Sequence, residues 1–197
     1  MDLLDRAPSE KELVFQSRIL CRDFIYSRIT REGLSWSKVE ASLPVPDGAL
    51  GDVSMVLLKL GDELEYMRPY VYRNIAKQLS ISVSVECVVS DAFLSVATEI
   101  LSLGITWGKV VAIFAVAGGL AVDCVRQGYP SMIYTIVDSL GEFVRKSLVP
   151  WLKRRGGWGD ISKCVKNMDS TAQSHWLSSV VSTWRHVVKT MYIYLMK

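Results

Sequence analysis

Apolar positions recur along this chain at intervals of three and four, the period of a helix face. Ser9-Glu10-Lys11-Glu12 is a capping box ahead of Leu13, a spacing in which Ser and Glu satisfy free amides of a first helical turn. It predicts a helix to about Ile29. Residues 33–49, with Gly33, Pro44, Pro46 and Asp47-Gly48, form a loop. Val53 to Met67 is helix-periodic and stops at Pro69, which itself suits the first position of a further helix through Leu79. Ser90 to Leu103 ends at Gly104, and Thr106 caps a long helix running to Gln127, closed by Gly128 with Pro130 beyond. Ser131 to Val149 is helical again, followed by Pro150, a short Trp151–Arg155 turn, Gly156-Gly157 and one or two final helices. Ile81, Val83 and Val85 alternate with serine like a strand. A lone strand has no partner, so they read as a connector. The expectation is an all-α, single-domain bundle of about eight helices.

Three segments carry more than this rhythm. Val110 to Val122 is a charge-free apolar run of thirteen residues, short of the ~20 that span a bilayer. Extending it to Ile100 takes in Lys109, which costs about 2.5–3.5 kcal/mol at a membrane centre. The run therefore reads as a core helix, enclosed by the others because a helix apolar on all sides must be buried. Val53, Leu57, Leu60 and Leu64 fall within about 60° of one another at a helical turn of ~100° per residue. Gly61 borders the stripe, where a missing side chain lets another helix approach, and Asp62 lies off it, available to a cation. Such a stripe suits either a core-facing helix or one that docks in a partner's groove. The third segment, Trp176 to Met196, sets Trp184 and its aliphatic neighbours against a face with Arg185 and Lys189. It fits an interfacial helix or a last core helix.

Composition narrows the class. Half of the 197 residues are apolar and 22% are charged, which excludes disorder. The mean hydropathy of +0.22 is high for a soluble domain, and the core run and the tail hold much of that excess. Net charge is +3, too small to identify a nucleic-acid binder. It is unevenly divided: residues 141–197 carry ten Lys/Arg against three Asp/Glu, and residues 1–140 carry 13 against 17. That asymmetry, next to the amphipathic tail, points toward anionic lipid headgroups rather than DNA. The four cysteines, about 40 residues apart without a C-x-x-C pair, read as reduced thiols. The two histidines, His175 and His186, have neither an H-E-x-x-H frame nor nearby cysteines. No metal, cofactor, nucleophile elbow or phosphate loop is advertised, so the expectation is neither an enzyme nor a nucleic-acid binder, with no small-molecule substrate.

Four stretches in order resemble the homology motifs of the Bcl-2 (B-cell lymphoma two) family. Val56-Leu57-Leu58-Lys59-Leu60-Gly61-Asp62-Glu63-Leu64-Glu65 resembles its third motif, Gly104-Ile105-Thr106-Trp107-Gly108-Lys109-Val110-Val111-Ala112 its first, and Trp151-Leu152-Lys153-Arg154-Arg155-Gly156-Gly157-Trp158 its second. The helix from Glu10 to Ile29 is similar to the fourth. The resemblance implies a bundle around a central apolar hairpin, Trp107 to Gln127 and Ser131 to Val149, with a groove for a partner's third-motif helix. It covers a helical domain over residues 1–175 and leaves 176–197 as a membrane-association or anchor helix, with Trp176, Trp184, Arg185 and Lys189 as its marked residues.

Further implications are functional. The branch this sequence most resembles is pro-apoptotic and permeabilises the mitochondrial outer membrane by insertion and oligomerisation. A groove-only regulator that sequesters partner helices shares the same motifs. Implied partners are other Bcl-2 family members, further copies of the chain and anionic lipids. The implied location is the cytosolic face of mitochondrial and endoplasmic-reticulum membranes, with a soluble pool. Residues carried over are Val53, Leu57, Leu60, Gly61, Asp62 and Leu64 of the third motif, Thr106, Trp107, Gly108 and Lys109 of the first, and Trp151, Gly156, Gly157 and Trp158 of the second. The family's first motif usually reads Asn-Trp-Gly-Arg. Lys109 in the Arg position offers a partner's Asp a point charge in place of a planar fork.

Overall fold

A computed structural model describes residues 6–36 and 43–166, and these are helical throughout their regular structure. The elements are α1 (Glu10–Arg31), α2 (Gly48–Met67), α3 (Ile75–Gln78), α4 (Glu86–Ile100), α5 (Trp107–Arg126), α6 (Met132–Phe143), a π-helical turn (Val144–Leu148), α7 (Val149–Arg155), a 3₁₀ turn (Trp158–Ile161) and α8 (Ser162–Lys166). The all-α bundle expected from periodicity is the observed architecture. Its axis is α5, which packs on α1, α2, α3, α4 and α6. Val110 through Ala117 are buried without interruption. Both predicted caps form: the Ser9 hydroxyl accepts the Glu12 amide at 3.2 Å, and the Thr106 hydroxyl accepts the Lys109 amide at 3.3 Å. The 81–85 segment is a connector without strand.

Three sequence expectations need correction. The helix from Pro69 through Leu79 does not form; residues 69–74 turn instead, and only α3 remains. Asn74 adopts a left-handed φ of 52°, which ends any helix propagating from Pro69. The Gln78 side-chain amide holds the turn by donating to the carbonyls of Tyr70, Val71 and Arg73 at 3.2, 3.1 and 2.7 Å. Pro150 does not break the chain after Val149. It stands in the first turn of α7 directly after the π-helical turn, where the regular α-helical ladder is already interrupted. α4 lies four residues earlier at its start than expected, from Glu86 to Ile100.

Close approach to the axis depends on glycine. A Cβ on Gly118 would lie 3.0 Å from Arg28 Cγ and 3.1 Å from the Phe24 ring, and one on Gly119 would strike the Tyr72 carbonyl. The glycine pair therefore seats α1 on one side of α5 and the 69–74 turn on the other. Asp123, one turn further along, accepts the Ala76 amide at 2.9 Å and fixes α3 to the axis. Burial pushes its carboxyl up from the ordinary range, against the Ala76 amide, the Arg126 charge and the Ile75 amide.

Candidate functional site

On α2, Val53, Leu57, Leu60 and Leu64 are each 3% exposed or less. The stripe faces inward, among elements that include α1, α5 and the 3₁₀ turn. At about 1.5–3 kcal/mol for each fully buried aliphatic side chain, it supplies most of the hold on α2. Gly61 lies where α1 comes closest: a Cβ there would sit 2.7 Å from the Phe24 ring and 2.8 Å from Arg28 Nη2. Asp62 stays 59% exposed at its side chain but is not free. Its Oδ1 is ion-paired with Arg28 Nη1 at 2.9 Å and accepts a hydrogen bond from Arg31 Nη1 at 3.1 Å. Glu65, one turn on, accepts from Arg28 Nε at 2.7 Å and pairs with Arg31 Nη2.

The result is a two-by-two fork between α1 and α2. Its anchor, Arg28, is 3% exposed at the side chain, with the guanidinium 4.4 Å above the Phe24 ring. Sequence reasoning selected Asp62 and missed Arg28, Arg31 and Glu65. The signal was present as two arginines three apart on one helix and two carboxylates three apart on another. What was lacking was the knowledge that those two helices touch. The fork walls a cleft of about 530 Å³ that extends to Tyr72, Asp123 and Arg126.

The first and second motifs meet at the other end of α5. Trp107 Nε1 donates to Asp160 Oδ2 at 2.8 Å, and its ring lies 4.8 Å from Trp151 and 6.0 Å from Trp158, centroid to centroid. Trp158 Nε1 donates to the Leu13 carbonyl of α1 at 3.1 Å. Two indoles thus bind the first motif, the second motif and the N-terminal helix into one network. Gly156 permits this by ending α7 at a left-handed φ of 85°, and Gly157 follows with its φ at 101° against Pro8. Asp160, unmarked in the sequence, is the hub. It also receives Arg155 Nη1 at 3.1 Å and Lys163 Nζ at 2.7 Å. Burial opposes ionisation there, but hydrogen bonds from Lys163, Trp107 and Arg155 outweigh it and hold the carboxyl down at about 2.

Thr106 caps α5, and Gly108 is buried in its first turn. Lys109 is 6% exposed, and its Nζ donates to the Gly104 carbonyl at 3.0 Å. The ammonium is folded back on the preceding loop. α5 is long and apolar enough to cross a membrane, though nearly all of it is buried in the bundle. Trp176, Trp184, Arg185 and Lys189, and the boundary at residues 175 and 176, lie outside the described residues.

Comparison with known proteins places this geometry. A family profile described as apoptosis regulator proteins, Bcl-2 family, matches residues 57–158. The Bcl-2-related ovarian killer protein homolog B of Danio rerio is 77% identical over 197 residues, all of this chain and 93% of that protein. A crystal structure of chicken BOK superposes with a TM-score of 0.72 at 63% identity, covering 80% of this chain and 98% of that one. The fold alone extends to Trichoplax adhaerens trBcl-2L2, bound to a trBak BH3, with a TM-score of 0.68 at 23% identity over 78% of this chain and 99% of that one. Matched over more than half its length by the profile and along its whole length by such relatives, the chain belongs to the Bcl-2 family of apoptosis regulators.

Proposed function

We propose that this apoptosis regulator is a pro-apoptotic effector that permeabilises the mitochondrial outer membrane by inserting and oligomerising. One observation carries the reading: α5 meets the length and polarity of a membrane-crossing helix, yet is held inside a bundle by amphipathic partners, among them the third-motif stripe on α2. Opening the bundle would free both at once, the stripe for a second copy and α5 with α6 for lipid. Lys109, Asp123 and Asp138 then favour an inserted hairpin that lies in the interface or lines a wet pore, because intramembrane charges need water or partners. Residues 1–175 serve as the helical domain in this scheme, and 176–197 tether it to mitochondrial or endoplasmic-reticulum membranes from a soluble pool. Purified full-length protein is expected to release dye from cardiolipin-containing vesicles. No release, with or without an activating peptide, overturns the effector reading.

A groove-only regulator is the second reading, supported by the trBak BH3 bound to the Trichoplax relative. Here Lys109 would receive a partner's Asp. It must first leave the Gly104 carbonyl, which favours weak peptide binding. Cell protection together with nanomolar binding would select this reading; killing with weak binding would select the effector. Leu60→Glu cannot separate them, since Leu60 is buried and a charge there unfolds the bundle.

A further inference from the structure

From Val144 to Lys163 the chain carries six cations, Arg145, Lys146, Lys153, Arg154, Arg155 and Lys163, against one carboxylate, a net charge of +5. That carboxylate, Asp160, is 5% exposed at its side chain, whereas all six cations are exposed. An ordinary solvated face mixes both signs; from Val149 to Lys163 the chain shows solvent only the positive. Arg145 and Lys146 are answered by Glu142, and Arg155 and Lys163 by Asp160. Lys153 and Arg154 have no carboxylate partner among the described residues. They stand in the last turn of α7, which the π-helical turn joins to α6 as one continuous rod.

We infer that α7 and the 3₁₀ turn form a docking face for an anionic lipid surface, with Lys153 and Arg154 as its unneutralised contacts. This rests on the reading of the chain as one that acts at membranes. A bilayer fits better than nucleic acid on two counts. Single-stranded nucleic acid stacks on exposed aromatic rings, but Trp151 and Trp158 are buried. The face also lies only thirteen residues before Trp176, where the amphipathic tail begins. Docking by α7 therefore sets the bundle against the same surface that the tail enters.

The test is sedimentation of the full chain with vesicles of phosphatidylcholine alone, or with roughly a third phosphatidylserine, at low and roughly physiological salt. The expected result is tighter binding to anionic vesicles, reduced about 30-fold in Lys153→Gln/Arg154→Gln, or ~1 kcal/mol for each cation. Neutralising the exposed Lys59 and Lys77 instead should change it less than about threefold. Arg154→Gln alone, expected to lose about fivefold, serves if the double variant melts early. Wild-type indifference to lipid charge, equal loss in the control, or tighter binding to a single-stranded oligonucleotide than to vesicles overturns the proposal. Dye release in the same tubes separates the two readings. Charge-selective docking without release keeps the face and removes the effector, while release with undiminished docking of the double variant removes the face.

Discussion

At single positions, the glycines and the hub carboxylate make the sharpest claims. Gly119→Ala sets a methyl against the Tyr72 backbone carbonyl, which cannot rotate away as a side chain can. A loss of about 2–3 kcal/mol by urea titration is expected, more than for Gly61→Ala, whose new methyl would meet side-chain atoms of Phe24 and Arg28 rather than backbone. Asp160 gives a pH signature. Its carboxyl, ordinarily near 3.8, is held at about 2 in the fold. The contribution is complete above the unfolded value and is lost as pH falls from about 4 to about 2. Asp160→Asn should be less stable by about 2 kcal/mol at pH 7, with the gap closing at about pH 2. Thermal melts of both proteins across that range are the check, and a constant gap would contradict the assignment.

Between elements, the fork on α1 and α2 distinguishes specificity from strength. Breaking a buried pair by deleting its acids strands a charge, whereas replacing the charge with an apolar side chain often costs little. Asp62→Ala/Glu65→Ala is therefore expected to cost about 3–5 kcal/mol by leaving Arg28 buried without a counter-charge. Arg28→Met, which keeps the stem beside Phe24, should cost well under half of that. Hydrogen exchange in α1 should follow the same order. The caps at Ser9 and Thr106, the extent of α5 and the spacing of the α2 stripe were legible in the sequence, because each depends on neighbours within two turns; which way the stripe faces was not. The fork, the Asp160 hub and the Gln78-held turn were not, because each joins groups that only folding brings together. Pro69 misled for the same reason: its local preference favoured a helix, and the packing of the Tyr72 carbonyl on Gly119 decided otherwise.

Across the described residues, the apolar excess of the sequence has one principal address. α5 is surrounded by helices that turn their own apolar sides toward it, so in water the protein supplies that helix with its surroundings. On the proposed insertion those surroundings are exchanged for lipid. Acyl chains can solvate α5 and the inner faces of α1, α2 and α6 at the same time, so the packing these helices give up against one another is replaced rather than forfeited. Native stability should therefore depend on the solvent's capacity to dissolve hydrocarbon more steeply than on denaturant alone. Nonionic micelles are expected to lower the melting temperature by about 10 °C or more while far-UV helicity is retained. An unchanged melting temperature would mean that the bundle does not trade its core for detergent. A helix carried in this way is a passenger already dissolved in protein, and on the proposed insertion its crossing into lipid would be a transfer between two oils, with water met only on the way.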